Sequence, residues 1–147
     1  MTIETPKQPF TDTTSEGRLL NLKYRCDIAN KVKGKSIFIS LHANAFSDPS
    51  ASGYEIFVTS KSSERYEIAK AIHQASKDIL GVGISIKDRG IKEAAYHVLV
   101  NTNMPAILIE HEFYTNLTAS NKLKDNEFKN KCAEHIKVGL LNYLKEV

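Results

Sequence analysis

The chain has 147 residues, of which 41% are hydrophobic and 25% charged, proportions ordinary for a globular protein and far from those of a disordered one. That length suits one domain around one core and is short for two. The 20 Lys and Arg against 17 Asp and Glu leave a net charge of +3, too small to point to nucleic acid and compatible with an anionic polymer without requiring one.

In chain order, the opening residues Met1-Thr2-Ile3-Glu4-Thr5 lack the charged-then-apolar order of a secretory signal, and no apolar run is long enough to span a bilayer. Thr2 to Thr5 reads as a short strand stopped by Pro6. From residue 15 to 33, Leu19, Leu22, Cys26 and Ala29 recur at helical spacing, with Ser15 as N-cap and Gly34 as the stop. The short β-branched run Ser36-Ile37-Phe38-Ile39-Ser40-Leu41 reads as a buried central strand that ends on His42. A loop of turn formers at 46–52 leads to another strand at 53–59, and a helix follows over 62–80 with Ile68, Ile72, Ala75 and Ile79 on its apolar face. His73 falls at the boundary of that face, and Gly81 and Gly83 end the helix.

Residues 84–92 are polar without a clear period and read as a loop carrying charge toward the site. Tyr96 to Val100 reads as a strand with His97 packed and hydrogen-bonded inside it. The run from Pro105 is apolar through Ile109 and then becomes ionisable at Glu110-His111-Glu112. Asn116 begins a polar connection. The last helix covers 125–145, capped by Asp125, with Phe128, Cys132, Ile136, Leu140 and Leu144 as its stripe and His135 at the boundary. Cys26 and Cys132 lack metal-site spacing and read as small buried hydrophobes. Strands alternating with helices predict an α/β fold, a three-layer arrangement with a mostly parallel sheet between helices.

Open α/β sheets place their chemistry at the carboxyl ends of their strands. Two candidates stand there. His42 alone is either a hydrogen-bonded structural residue or a ligand. If its strand lies parallel to the one ending at Glu110, imidazole and carboxylate converge on one rim, the pair that zinc ligation and general acid/base work both use.

Five segments in order resemble the zinc-dependent N-acetylmuramoyl-L-alanine amidases of the amidase-3 family. Arg25 with Ile28-Ala29-Asn30 is similar to the helix before its metal strand, and Ile39-Ser40-Leu41-His42-Ala43-Asn44-Ala45 to its SIHANA motif. Arg89-Gly90-Ile91-Lys92 resembles its RGVK segment and Tyr96-His97-Val98-Leu99 its FxVLR segment. Met104 to Glu110, followed by Phe113-Tyr114-Thr115-Asn116, resembles its MPAVLVE and GFxSN block.

The resemblance implies that His42 is a zinc ligand and Glu110 the catalytic carboxylate. The reaction implied is hydrolysis of the amide between N-acetylmuramic acid and the L-alanine of the stem peptide, in an autolysin or a phage endolysin. Asn44, Arg89 and Lys92 are candidate substrate-binding residues; for the two cations a solvated cluster is the competing reading. Peptidoglycan is the expected partner, with no nucleic acid and no membrane. The expected place of action is the cell wall or extracellular space, reached from the cytoplasm on release if the source is a phage.

Two departures from the family pattern stand out. His111-Glu112 replaces glycines after the catalytic glutamate; strand alternation puts Glu112 on the face of Glu110 and turns His111 away, which argues against His111 as a substitute ligand. The family also opens with a GHGG-like strand and a helix glutamate that supply zinc ligands, and no histidine precedes His42 here. Residues 1–147 are therefore expected to form one amidase-like domain matching the carboxyl-terminal two-thirds of the family's, N-terminally incomplete, with a zinc site completed by an upstream segment or a second chain. The alternative is an inactive remnant or peptidoglycan-binding module that lacks a complete zinc site.

Overall fold

The computed structural model describes residues 13–84 and 86–146; the strand expected at Thr2 to Thr5 lies outside them. Its elements are α1 (Ser15–Ala29), β1 (Phe38–Asn44), β2 (Tyr54–Val58), α2 (Glu64–Ile84), β3 (Asp88–Glu93), α3 (His97–Val100), β4 (Ala106–Phe113), α4 (Leu117–Lys124) and α5 (Asn126–Glu146). The sheet order is β1-β4-β2-β3. The β1–β4 and β2–β3 ladders are parallel and the β2–β4 ladder between them is antiparallel, so the sheet is mixed.

Helices cover both faces. Ile68, Ile72 and Leu80 of α2 and Phe128 and Tyr143 of α5 pack on Ile56, Val58, Ile107 and Ile109. On the opposite face, Cys26 of α1 and Val98 and Leu99 of α3 pack on Phe57, Ala106 and Leu108. Each strand therefore sends alternate residues into two apolar layers. Every position of β2 and of β4 is buried, as expected of inner strands covered on both faces.

Among the described residues the run ending at His42 is an edge strand, not the central one expected. Among the described residues β1 pairs with β4 alone, and Ser40 is the one buried residue of β1. Apolar letters report burial on a sheet face, and they say nothing about which edge has a hydrogen-bonding neighbour. Leu41 on this strand is 59% exposed.

Two segments swap the roles read for them. Residues 88–93 form β3 and not a loop; their period is broken because Tyr54 pairs with Asp88 while Ile56 pairs with Ile91. Glu55 thus faces both Arg89 and Gly90, a bulge made with Gly90 at φ +77°. Tyr96 to Val100 contains a helical turn, not a strand. Asn101 Nδ2 and Thr102 Oγ1 donate back to the carbonyls of His97 and Val98, which satisfies a turn that β-propensity alone would unwind. His97 is half-buried there, with Nε2 unpartnered.

Helix ends follow local chemistry. Thr14, one residue before the expected cap, accepts from Gly17 N at 3.1 Å. Asn116 caps α4 by accepting from Ala119 N, and α2 continues past Gly81 to Ile84. The Asn30 side chain at the end of α1 accepts from Asn103 N and donates to Asn101 O, tying α1 to the turn that launches β4. Both cysteines are free, Cys26 buried and Cys132 partly so.

Helices α2 and α5 cross closely at Gly139. A Cβ there would stand 2.8 Å from the backbone nitrogen of Ile72 and closer still to its Cα. Backbone cannot yield as a side-chain tip can, so Gly139→Ala is expected to destabilise the fold by about 2 kcal/mol, although alanine is the better helix former. Urea unfolding of the two proteins checks this; an unchanged or raised midpoint would contradict the close crossing.

Candidate active site

β1 and β4 run side by side in parallel, and His42 is the register partner of Glu110. Paired residues of adjacent strands project to the same face, so imidazole and carboxylate share the rim at the carboxyl ends of both strands. His42 is exposed, and its Nε2 lies 2.9 Å from Ser40 Oγ. Partial desolvation, with Arg25 nearby, lowers its pKa, favouring the neutral ring that ligates metals.

Glu110 is only 9% exposed, and its Oε2 is buried without a hydrogen-bond partner. Burial, reinforced by the charge of Glu55, pushes its pKa up to about 7. A carboxyl poised near neutrality can both take and return a proton.

Asn44, Arg89 and Lys92 are brought together, but by a residue that the sequence reading passed over. Glu55 is 3% exposed and pairs with Glu110 across the antiparallel β2–β4 ladder. It accepts from Asn44 Nδ2 at 2.7 Å on Oε1 and from Arg89 Nε at 2.7 Å on Oε2, where Lys92 Nζ also donates. Burial alone would raise the Glu55 pKa; the hydrogen bonds and positive charge of Lys92 and Arg89 outweigh it and bring the pKa below the ordinary value. The bulge at Gly90 is what aims both cations at one carboxylate, since residues three apart on a regular strand face opposite ways. A lone carboxylate in the apolar run Tyr54-Glu55-Ile56-Phe57-Val58 was the signal in the sequence.

The segment after Glu110 departs from simple alternation. His42 pairs with Glu110 and Asn44 with Phe113, so β4 carries an additional residue opposite Ala43. Glu112 therefore does not join Glu110: it is 1% exposed, accepts from Gly53 N at 2.7 Å and faces Lys122 of α4. His111 points away from the site as expected. Its Nε2 lies 3.0 Å from Nε2 of His135, with both rings against Tyr54. His135 is fully buried, not at the boundary. His73 does sit at the boundary, 2.8 Å from Asp88.

Among the described residues no three side chains of His, Cys, Asp or Glu come together as a metal site. His42 with Glu110 does not make the three-ligand set that a catalytic zinc requires, so these residues alone do not fit the metal. No described helix is long and apolar enough to cross a membrane.

N-acetylmuramoyl-L-alanine amidase LytC of Bacillus subtilis (strain 168) is 32% identical over 111 residues, 74% of this chain and 22% of that protein. The endolysin of Bacillus phage SPP1 is 39% identical over 120 residues, 79% of this chain and 42% of that protein. The chain thus spans less than half the length of either relative. The CwlD amidase of Clostridioides difficile, solved in complex with the GerS lipoprotein, superposes with a TM-score of 0.81 at 25% identity, covering 99% of this chain and 72% of that one. The N-acetylmuramoyl-L-alanine amidase family amidase-3 matches residues 6–142, and the chain belongs to that family.

Proposed function

We propose that this chain is the carboxyl-terminal part of a peptidoglycan amidase that hydrolyses the bond between N-acetylmuramic acid and L-alanine. The observation that carries the reading is the in-register pair His42–Glu110 at the sheet rim, with a buried, unpartnered Glu110 oxygen. In this reading Glu110 accepts the proton of the water that attacks the lactyl carbonyl and delivers it to the departing alanine nitrogen. A pKa of about 7 suits both halves of that cycle at neutral pH. Glycan and peptide lie over the rim, with Arg89 and Lys92 toward the peptide, and the place of action is the cell wall.

His42 is the zinc ligand this chain supplies, and the remaining donors come from outside the described residues, on an upstream segment or a second polypeptide. Among the described residues no strand pairs with the side of β1 away from β4, and a strand added there would stand beside His42. The second reading is a peptidoglycan-binding remnant.

The purified 147-residue chain is expected to bind zinc weakly and to release no soluble muropeptide from purified cell walls. Joined to the polypeptide encoded immediately upstream, it is expected to hold one zinc and to cleave. Metal analysis by mass spectrometry with a cell-wall release assay tests both. Stoichiometric zinc and turnover from the chain alone would overturn the incomplete-site reading, while inactivity of the joined protein carrying a full complement of zinc would favour the remnant.

A further inference from the structure

Glu55 sits where an apolar residue would be expected. Its neighbours Tyr54, Ile56, Phe57 and Val58 are all buried, and its own side chain is 4% exposed. A carboxylate taken out of water costs more than a well-packed aliphatic side chain unless its partners compensate fully. Here the partners come from two flanking segments: Asn44 from β1, Arg89 and Lys92 from β3.

The cations stand outside the carboxylate. The side chains of Arg89 and Lys92 are 28% and 40% exposed above the buried Glu55. Each is held a second time by an aromatic face, Arg89 5.0 Å from the Phe113 ring centroid and Lys92 5.8 Å from that of Phe57. Two fixed cations on one carboxylate leave one positive charge in excess beside Glu110. Flexible lysine and arginine side chains lose much of their affinity for an anion to ordering, and pre-ordering removes that cost.

We propose that Glu55 is a positioning residue that holds Arg89 and Lys92 as a fixed clamp for a free carboxylate of the stem peptide, next to the bond that Glu110 acts on. Asn44 belongs to this assembly as a support of Glu55: its Nδ2 donates to Glu55 and its Oδ1 accepts from Ala45 N. The proposal rests on the peptidoglycan reading for the nature of the ligand, and on the Glu55 contacts alone for the clamp.

The test uses the full chain with chelator present, so that no probe is consumed. The probes are N-acetylmuramoyl-L-alanyl-D-glutamate with both carboxylates free and the same compound with both amidated, titrated calorimetrically into the wild type and Glu55→Gln. The Arg89 Nε–H signal is followed by NMR in both proteins, with circular dichroism to establish folding. The wild type is expected to prefer the free carboxylates about tenfold and to show a slowly exchanging Arg89 Nε–H. Glu55→Gln is expected to lose both the preference and the slow exchange while remaining folded; if it does not fold, Arg89→Gln and Lys92→Gln are to remove the preference instead.

A purely structural Glu55 would lower the melting temperature and leave the ratio between the two probes unchanged, which would overturn the proposal. Rapid exchange of Arg89 Nε–H in the wild type would do so as well, as would a wild type that binds the two probes equally. Binding of neither probe by the wild type would count against the peptidoglycan reading, and the Nε–H signal would then decide the clamp by itself.

Discussion

Glu110→Gln is expected to abolish amide hydrolysis in the completed, zinc-loaded enzyme, by roughly 10³-fold or more, with metal content unchanged. The amide keeps the size of the carboxylate and cannot accept the proton. The same substitution is expected to stabilise the metal-free chain at alkaline pH. A carboxyl whose pKa rises from 4.5 unfolded to about 7 folded binds its proton more tightly in the folded state. Its contribution to stability is therefore fully present below pH 4.5 and is lost as pH rises through 7. The full interval corresponds to about 3 kcal/mol. Glutamine has no such loss, so urea unfolding at pH 5 should separate the two proteins little and at pH 8 clearly, the variant being more stable. Equal stability at pH 8 would mean that Glu110 is not desolvated. A side chain that destabilises its own fold is what a functional site built at the expense of packing predicts.

The opposite dependence is expected from the buried histidine pair, and it should dominate acid unfolding. Burial brings the pKa of His111 down to about 4; burial and the neighbouring His111 bring that of His135 down to about 3. A base depressed in this way contributes stability above its unfolded value of 6.5 that is lost as pH falls through the folded value. For His111 alone the interval amounts to about 3 kcal/mol. Replacing one partner, as in His135→Leu, should cost 1–3 kcal/mol at pH 7 as an order of magnitude, since the His111 nitrogen is left buried and unpaired. Replacing both, as in His111→Phe with His135→Leu, should recover part of that and flatten the loss of stability between pH 6.5 and 4. An acid limb unchanged in the double variant, followed by circular dichroism, would show that other groups control it.

The element types were largely legible because periodicity reports burial. The helices near 15–33, 62–80 and 125–145 and the strands ending at His42 and Glu110 stand close to where their apolar patterns put them. Two of the misreadings share one cause. At Arg89-Gly90 and at His111-Glu112 a bulge adds a residue to one strand, and every inference from alternation beyond that point changes face. Simple alternation puts Glu112 with Glu110 for this reason, and β3 reads as a loop because its period breaks at Gly90.

By itself, the sequence determined the family, the α/β layering and His42 and Glu110 as separate candidates at strand ends, because ordered motifs and strand-end chemistry are local properties of the chain. The tertiary structure alone decided that β1 pairs in parallel with β4 so that His42 meets Glu110, that His111 meets His135 in the core and that Asn44, Arg89 and Lys92 converge on Glu55. Those are pairings between segments distant in sequence, and their free energy comes from desolvation and register, quantities that exist only once the sheet has closed around them.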